Sequence, residues 1–149
     1  MINEQPAARP DDPFGGVTLG LHRATHVTIH ALVKMLAWLE LGPAEINVLA
    51  CLAAAWPVPA GLLGTATGTK PSTLTSVLDR LAGRGFTARE VDQADRRSFL
   101  VSLTPAGQVA AGHVSDAIRE LERQALGQVT DAERAGFLAV IQALTEKAR

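Results

Sequence analysis

A helical period gives way to a strand period within residues 71–107, which read PSTLTSVLDRLAGRGFTAREVDQADRRSFLVSLTPAG. In the first part, apolar residues recur three, four and seven positions after the first of them, which is the spacing of one helical face. They are Leu74, Val77, Leu78 and Leu81. Strand-like segments follow at 86–91 and 98–103, joined by a polar link. The pattern therefore predicts a helix followed by a β-hairpin with a charged tip.

The segment before this unit predicts an arm and a long helix. Residues 1–16 are rich in proline and glycine, which is typical of a flexible or extended arm. From Val17 to Leu41 there is no proline, and apolar residues occur on nearly all sides of the helix that this segment would form. Because such a helix is usually buried, we expect it to contribute to a dimer interface.

Four further elements complete the prediction, which is a mainly α fold with a small hairpin. Gly42-Pro43 starts a helix that ends before Pro57, and residues 58–68 are expected to form one short helix. After the hairpin, Thr104-Pro105 starts a helix that runs to about Leu126. The last helix opens at Thr130, with Glu133 placed to complete a capping box.

The composition sets limits on the class of protein. The chain has 149 residues, 47% of them hydrophobic and 19% charged, so it has more apolar surface than a small monomer easily buries. The segment from Val27 to Leu41 is interrupted by charged residues and is too short for a membrane span. The first residues do not form a secretory signal, and the single cysteine, Cys51, excludes a disulfide framework. We therefore expect a cytoplasmic protein.

The predicted helix at 71–81 leaves small hydroxyl side chains and basic residues on its outer face. Such a face fits the major groove of DNA, where hydroxyl groups contact base edges and phosphates. Between residues 70 and 97 there are six basic and four acidic residues, a modest local excess. Charge alone fits an ordinary solvated surface equally well, but the order of helix, short helix, helix and hairpin is that of a winged helix-turn-helix. The candidate major-groove residues are Ser72, Thr73, Thr75, Ser76 and Arg80.

Several motifs resemble those of the MarR (multiple antibiotic resistance regulator) family of bacterial transcription regulators. They are LGPAEINVL at 41–49, PSTLTSVLDRL at 71–81, GFTAR at 85–89, DRR at 95–97 and LTPAG at 103–107. The chain departs from the family pattern at Phe86-Thr87, where two aliphatic residues usually stand, and this affects hairpin packing more than DNA contact.

This resemblance implies a homodimer that binds a near-palindromic operator. The fourth helix would enter the major groove, and Arg97 at the wing tip would enter the minor groove, oriented by Asp95. Beside these, Lys70 and Arg96 are our candidate phosphate contacts. The implied division is a flexible arm at 1–16, a dimerisation helix at 17–41, a winged helix-turn-helix DNA-binding domain at 42–104 and C-terminal dimerisation helices at 105–149.

Many members of the family respond to an effector, and four histidines raise the question of zinc. His22, His26 and His30 are spaced four residues apart and lie within an arc of about 80° on the first helix. His113 is on the fifth helix, which packs near the first in this family, so the four could bind zinc. Against this, the zinc-sensing branch of the family uses a Glu-His pair on the second helix, and here Glu45 is followed by Ile46-Asn47.

Other interpretations of the same residues remain open. The histidines fit hydrogen-bonded positions in a dimer interface, and a phenolic small molecule is the alternative effector. Cys51 lies on the apolar face of the predicted second helix, so we expect it to be a core residue rather than a redox sensor. A winged helix can also serve protein–protein contact without DNA. An enzyme is not expected, because no nucleophile–base pair, phosphate loop or paired carboxylates were found.

Overall fold

The computed structural model describes residues 15–147, so most of the predicted arm at 1–16 lies outside the described residues. The elements are named here in chain order, and a short 3₁₀ helix, Ala37–Leu39, follows the first of them. They are α1 Val17–Met35, α2 Pro43–Ala54, β1 Val58–Pro59, α3 Ala60–Thr67, α4 Pro71–Gly83, β2 Thr87–Val91, β3 Phe99–Leu103, α5 Pro105–Ala125 and α6 Asp131–Lys147. The predicted fold, mainly α with a small β wing, is confirmed.

The first helix is shorter than predicted. It ends at Met35 rather than Leu41, and the chain turns through the 3₁₀ helix to Glu40, which has a left-handed backbone (φ 50°). The guanidinium of Arg84 donates to the carbonyl oxygens of Leu39 and Glu40. These contacts hold the chain in a turn at 39–40, away from a helical path, and attach that turn to the end of α4.

A three-stranded antiparallel sheet forms the wing, with strand order β1-β3-β2. Val58 pairs with Val101, and Thr87 pairs with Leu103. The prediction of a helix alone over 58–68 was therefore wrong at its start. Val58–Pro59 forms a short edge strand, because its backbone completes the edge of β3 that the hairpin leaves unpaired, and α3 begins only at Ala60.

The core lies between α2, α4, α5 and the sheet. The four apolar residues that predicted α4 are between 0% and 4% exposed, so the predicted buried face is confirmed. Each fully buried Leu or Val side chain contributes about 1.5–3 kcal/mol, so this one face is a large part of the stabilisation of α4. The side chains packed around it include Ile46, Leu49, Leu52, Leu63 and Val101.

Two helices have apolar residues that remain exposed within residues 15–147. No residue of α6 is buried, and Phe137 and Leu138 are 54% and 63% exposed. In α1 only Leu32 is buried, while Val17 and Val27 are more than half exposed. The expected burial of α1 is thus not reached within one chain, and the predicted dimer interface stays a prediction.

The junction between the wing and α5 requires glycine at position 107. The Oγ1 of Thr104 accepts the N–H of Gly107 at 3.0 Å and donates to the carbonyl of Gly85, so Thr104 is the N-cap, as predicted. A Cβ on Gly107 would lie 1.8 Å from the carbonyl oxygen of Phe86. This close approach seats the first turn of α5 on the start of the hairpin. The predicted capping box of Thr130 and Glu133 at the start of α6 is also present.

Within residues 15–147, none of the helices is both long enough and apolar enough to cross a membrane.

Candidate nucleic-acid interface

The outer face of α4 is exposed along its whole length. The candidate residues on it are Lys70, Ser72, Thr73, Thr75, Ser76 and Arg80, all exposed. Pro71 occupies the first helical position, and the side chain of the N-cap residue, Lys70, makes no capping hydrogen bond. Within residues 15–147 the N–H groups of the first turn therefore have no side-chain partner, which is the arrangement that favours a phosphate at a helix start.

Two of the hydroxyl groups on this face hydrogen-bond to their own helix. Thr75 Oγ1 donates to the carbonyl of Pro71 at 2.9 Å, and Ser76 Oγ donates to that of Ser72 at 3.2 Å. Both oxygens keep lone pairs that face outward and accept hydrogen bonds. To donate to a base, either hydroxyl must first rotate away from the helix, so in the free protein these two groups present acceptors.

Arg89 ties β2 to α4. Its guanidinium donates to Asp79 Oδ1 at 2.6 Å and to the carbonyl of Thr75 at 3.4 Å, and it lies over the ring of Phe99 at 5.1 Å. Since Phe99 is on β3, this one side chain contacts both strands of the hairpin and the helix. The wing and the exposed face of α4 are thereby held as one surface.

The other end of α4 is attached to the junction between α1 and α2. Arg80 Nε donates to Glu45 Oε1 at 3.3 Å, and Arg84 donates to the backbone of Leu39 and Glu40. Sequence reasoning missed the role of Glu45, which was named only within a family motif and in the comparison with zinc-sensing members. No local signal identifies its partner, because the two residues of this ion pair are 35 positions apart.

The tip of the wing is shaped by aspartates that bind the backbone. Asp95 Oδ1 accepts the N–H of Arg97 at 3.0 Å, and Asp92 Oδ1 accepts that of Ala94 at 2.8 Å. Asp95 therefore orients the main chain of Arg97 through a turn, and the structure records no ion pair between the two side chains within residues 15–147. The side chains of Arg96 and Arg97 are exposed.

The basic residues between 70 and 97 fall into two groups. Three of the six hydrogen-bond to other parts of the chain, and they are Arg80, Arg84 and Arg89. The other three have exposed side chains without a hydrogen bond or ion pair to residues 15–147, and they are Lys70, Arg96 and Arg97. The side chains with free positive charge are thus at the start of α4 and at the wing tip, where contacts with DNA were expected.

The candidate zinc residues are only partly brought together. The rings of His26 and His30 have centroids 4.5 Å apart, and His22 is exposed on the same helix. His113 instead packs edge-on against Trp38, with centroids 4.8 Å apart. Among residues 15–147 no group of three or more His, Cys, Asp or Glu side chains is placed to hold a metal ion.

A cavity that the sequence did not predict lies between α1, α2 and α5. Its volume is about 430 Å³, and its polar groups are the hydroxyls of Thr25, Thr28 and Thr69 and the amide of Asn47. The apolar part of the wall includes Ile29, Leu32, Ile46 and Ile118. Cys51 is half-buried elsewhere on α2, and burial raises the pKa of its thiol, which favours the unreactive protonated form, as expected for a core cysteine.

Comparison with known proteins identifies the family. The MarR family model matches residues 41–99. The HTH-type transcriptional regulator PecS of Dickeya dadantii (strain 3937) is 30% identical over 95% of this chain and 88% of its own length. A MarR-family regulator from Silicibacter pomeroyi has a crystal structure that is 32% identical, covers 91% of both chains and superposes with a TM-score of 0.78. The chain belongs to the MarR family. It is a DNA-binding transcriptional regulator and not an enzyme.

Shorter or more distant matches agree on the fold. The regulator YcgE of Bacillus subtilis (strain 168) is 33% identical over 59% of this chain, and the match spans about half of that relative, 55% of its length. The MepR–DNA complex of S. aureus, 16% identical, has a TM-score of 0.78 over 91% of this chain and 99% of that one. CouR from Rhodococcus jostii RHA1, bound to p-coumaroyl-CoA, is 21% identical with a TM-score of 0.77 over 87% and 91%.

Proposed function

We propose that this MarR-family chain acts in the cytoplasm as a homodimeric repressor that binds a near-palindromic operator. The observation that carries the proposal is the contact of Arg89 with Asp79 and Thr75, which joins the wing to the exposed face of α4. A helix and a wing held in one surface fit adjacent grooves of one DNA half-site. The two-fold symmetry of a dimer places the second half-site about one helical turn (roughly 34 Å) away.

Each exposed residue then has a role set by its position. Ser72, Thr73, Thr75, Ser76 and Arg80 face the major groove. Lys70 and Arg96 neutralise phosphates, and the uncapped start of α4 binds a third. Arg97 enters the minor groove, where a narrow A·T-rich segment attracts a guanidinium. Asp95 contributes through the turn that fixes the backbone of Arg97.

The dimer is supported by the apolar side chains that residues 15–147 leave exposed. They lie on α1 and α6, and include Val17, Val27, Phe137 and Leu138. Monomeric proteins rarely expose large contiguous apolar patches, so we expect a second copy of the chain to bury the exposed faces of these two helices. The resemblance to the MarR family points to the same helices as the dimer interface.

The decisive experiment is selection of bound duplexes from a genomic pool, followed by titration of the selected duplex at several salt concentrations. A repressor of this type enriches a near-palindromic sequence and loses affinity steeply with salt, because it releases counterions from the phosphates. A protein–protein module enriches no sequence. Transcription from a reporter under the selected duplex, with and without the protein, then tests repression as such.

The effector is proposed to be an uncharged phenolic molecule that binds in the cavity between α1, α2 and α5. The hydroxyls of Thr25, Thr28 and Thr69 and the amide of Asn47 can pair with a phenol, and the apolar wall fits its ring. Among the residues that the structure describes, none with a charged side chain lines the cavity, so a carboxylate would have no counter-charge there. Calorimetry with phenol, benzamide and benzoate tests this: tighter binding of the anion would contradict it.

Zinc is the second candidate effector, and His26 and His30 are the observation in its favour. Two imidazoles four residues apart with centroids at 4.5 Å can share one ion, but a closed site needs further ligands from outside this pair. Zinc measured in protein after dialysis, together with operator titration with and without zinc, tests the idea. Protein that retains no zinc and binds operator equally in both conditions rules it out.

A further inference from the structure

Glu45 has a nearly buried carboxylate that pairs with an exposed arginine, Arg80. Glu45 lies in the first turn of α2 and is only 7% exposed. Its two oxygens have different partners: Oε2 accepts the backbone N–H of Gly42 at 2.7 Å, and Oε1 accepts Nε of Arg80 at 3.3 Å. The first contact fixes the carboxylate against its own helix. The second therefore places Arg80 against a rigid support.

The guanidinium of Arg80 is left with one edge unused. Glu45 takes the Nε position, and the terminal amino groups have no acceptor among residues 15–147. The side chain is 56% exposed, whereas that of Glu45 is 9% exposed. The contact at Nε restrains the plane of the guanidinium, so its two terminal nitrogens form a fork that remains available to a ligand.

The position of Arg80 on α4 puts this fork on the face that contains the hydroxyl groups. Arg80 is seven residues after Thr73 and four after Ser76, so the three lie within about 60° of one another around the helix. All three are exposed. A duplex that contacts Thr73 and Ser76 in its major groove therefore also meets the terminal edge of Arg80.

We infer that Arg80 is a specificity-determining residue that reads a guanine through O6 and N7, and that Glu45 is its positioning residue. The two terminal nitrogens match those two acceptors, which is the commonest specific contact of arginine in the major groove. A phosphate is the weaker candidate partner, because the adjacent carboxylate offsets the positive charge that would attract it. The inference rests on the proposed DNA-binding function.

The test compares base discrimination between variants, using the duplex selected with the wild-type protein. Each base pair of one half-site is replaced in turn, and affinity is measured by fluorescence anisotropy at fixed salt. Arg80→Ala is expected to lose a preference of about 10-fold to 100-fold for G·C at one position. Arg80→Lys keeps the charge and a donor for guanine but loses the planar fork that Glu45 restrains, so it is expected to keep only part of the preference. With 7-deazaguanine at that position, wild-type affinity falls and Arg80→Ala affinity does not.

Glu45→Gln separates positioning from folding. Its amide oxygen can still accept the N–H of Gly42, but the ion pair with Arg80 is lost. We expect the G·C preference to fall towards that of Arg80→Ala, while the melting temperature stays close to wild type. The salt dependence should steepen by about one phosphate contact, since Arg80 now has an uncompensated charge. Lys70→Ala is the matched control and should weaken all sequences equally.

Two results would overturn the inference. One is uniform weakening by Arg80→Ala with every base preference intact, which is the behaviour of a phosphate contact. The other is an unchanged G·C preference in Glu45→Gln, which would leave Glu45 a structural residue only. Failure of the proposed function looks different, because the wild-type protein would then select no sequence at all.

Discussion

Arg89 of the wing donates to Asp79 of α4, with 2.6 Å between the guanidinium nitrogen and the carboxylate oxygen. The pair is asymmetric, since the side chain of Arg89 is 28% exposed and that of Asp79 is 62% exposed. The carboxylate is thus open to solvent, while the guanidinium lies over the ring of Phe99. Most of the stabilisation should therefore come from the packing of Arg89 rather than from the ion pair itself.

Replacement of the two residues should separate these contributions. Asp79→Asn is expected to lower the free energy of unfolding by at most about 1 kcal/mol, as for other exposed ion pairs. Arg89→Ala should cost about 1–2 kcal/mol, because it also removes the contact with Phe99 and the hydrogen bond to Thr75. Urea denaturation measures both. Equal effects from the two variants would contradict this division.

Arg89→Ala should also weaken DNA binding. Without Arg89 the wing loses its side-chain contacts with the exposed part of α4, although the sheet still packs on the buried face of that helix. Operator affinity is therefore expected to fall by more than the stability change at matched salt. Asp116→Asn is the control, because it breaks an exposed pair with Arg119 within α5. That control should leave affinity unchanged.

Gly107→Ala should destabilise the protein severely. The added methyl group would lie 1.8 Å from the carbonyl oxygen of Phe86, a backbone atom that cannot move aside without displacing the hairpin from α5. We expect a loss of about 3 kcal/mol or more, in the range of the strongest single substitutions. The loss is measured as a shift of the urea midpoint, with unfolding monitored by circular dichroism.

Gly61→Ala is the matched control for this change. Gly61 is also helical, but nothing lies within 4 Å of a Cβ built there. Alanine is the better helix former by about 1 kcal/mol, so this variant should be neutral or slightly stabilised. If both variants have the same urea midpoint as the wild type, the close approach of α5 to the hairpin is not present in solution.

The parts of this fold that the sequence predicted are those with a local cause. The buried face of α4 follows from the spacing of Leu74, Val77, Leu78 and Leu81, and the start of α5 follows from the cap at Thr104. Both depend only on residues within one or two turns of each other. The outer face of α4 supplied the candidate major-groove residues, and the family motifs supplied the roles of the wing tip.

The features that the sequence did not predict depend on tertiary contacts. The turn that follows α1 is held by Arg84, more than forty positions away in the chain. Val58–Pro59 has no strand period of its own and pairs only because β3 offers an edge. The cavity requires three helices to be packed before it exists, and Glu45 gains its partner in the same way. A local sequence pattern cannot predict these features, because the interacting residues are distant in sequence.

Phe137→Asp should convert the proposed dimer into a monomer. Phe137 is 54% exposed on α6, and a second copy that covers it would have to bury the new carboxylate without a partner. Light scattering is expected to give about twice the chain mass for the wild type and about the chain mass for the variant. Leu62→Asp is the control: Leu62 is 59% exposed on α3, outside the proposed interface, so this variant should remain dimeric. A wild-type monomer would contradict the proposed assembly.

Arg97→Ala should weaken operator binding by about 1–3 kcal/mol at matched salt, because the guanidinium is the group proposed to enter the minor groove. Its side chain has no partner within residues 15–147, so the free energy of unfolding should not change. Arg96→Ala provides the comparison: as a phosphate contact, it should weaken all duplexes alike and reduce the salt slope by about 1. The loss with Arg97→Ala should instead be largest on duplexes with A·T pairs beneath the wing, where the minor groove is narrow. Anisotropy titrations on two duplexes that differ only at those pairs distinguish the roles. Equal losses of affinity on both duplexes would contradict the placement of Arg97 in the minor groove.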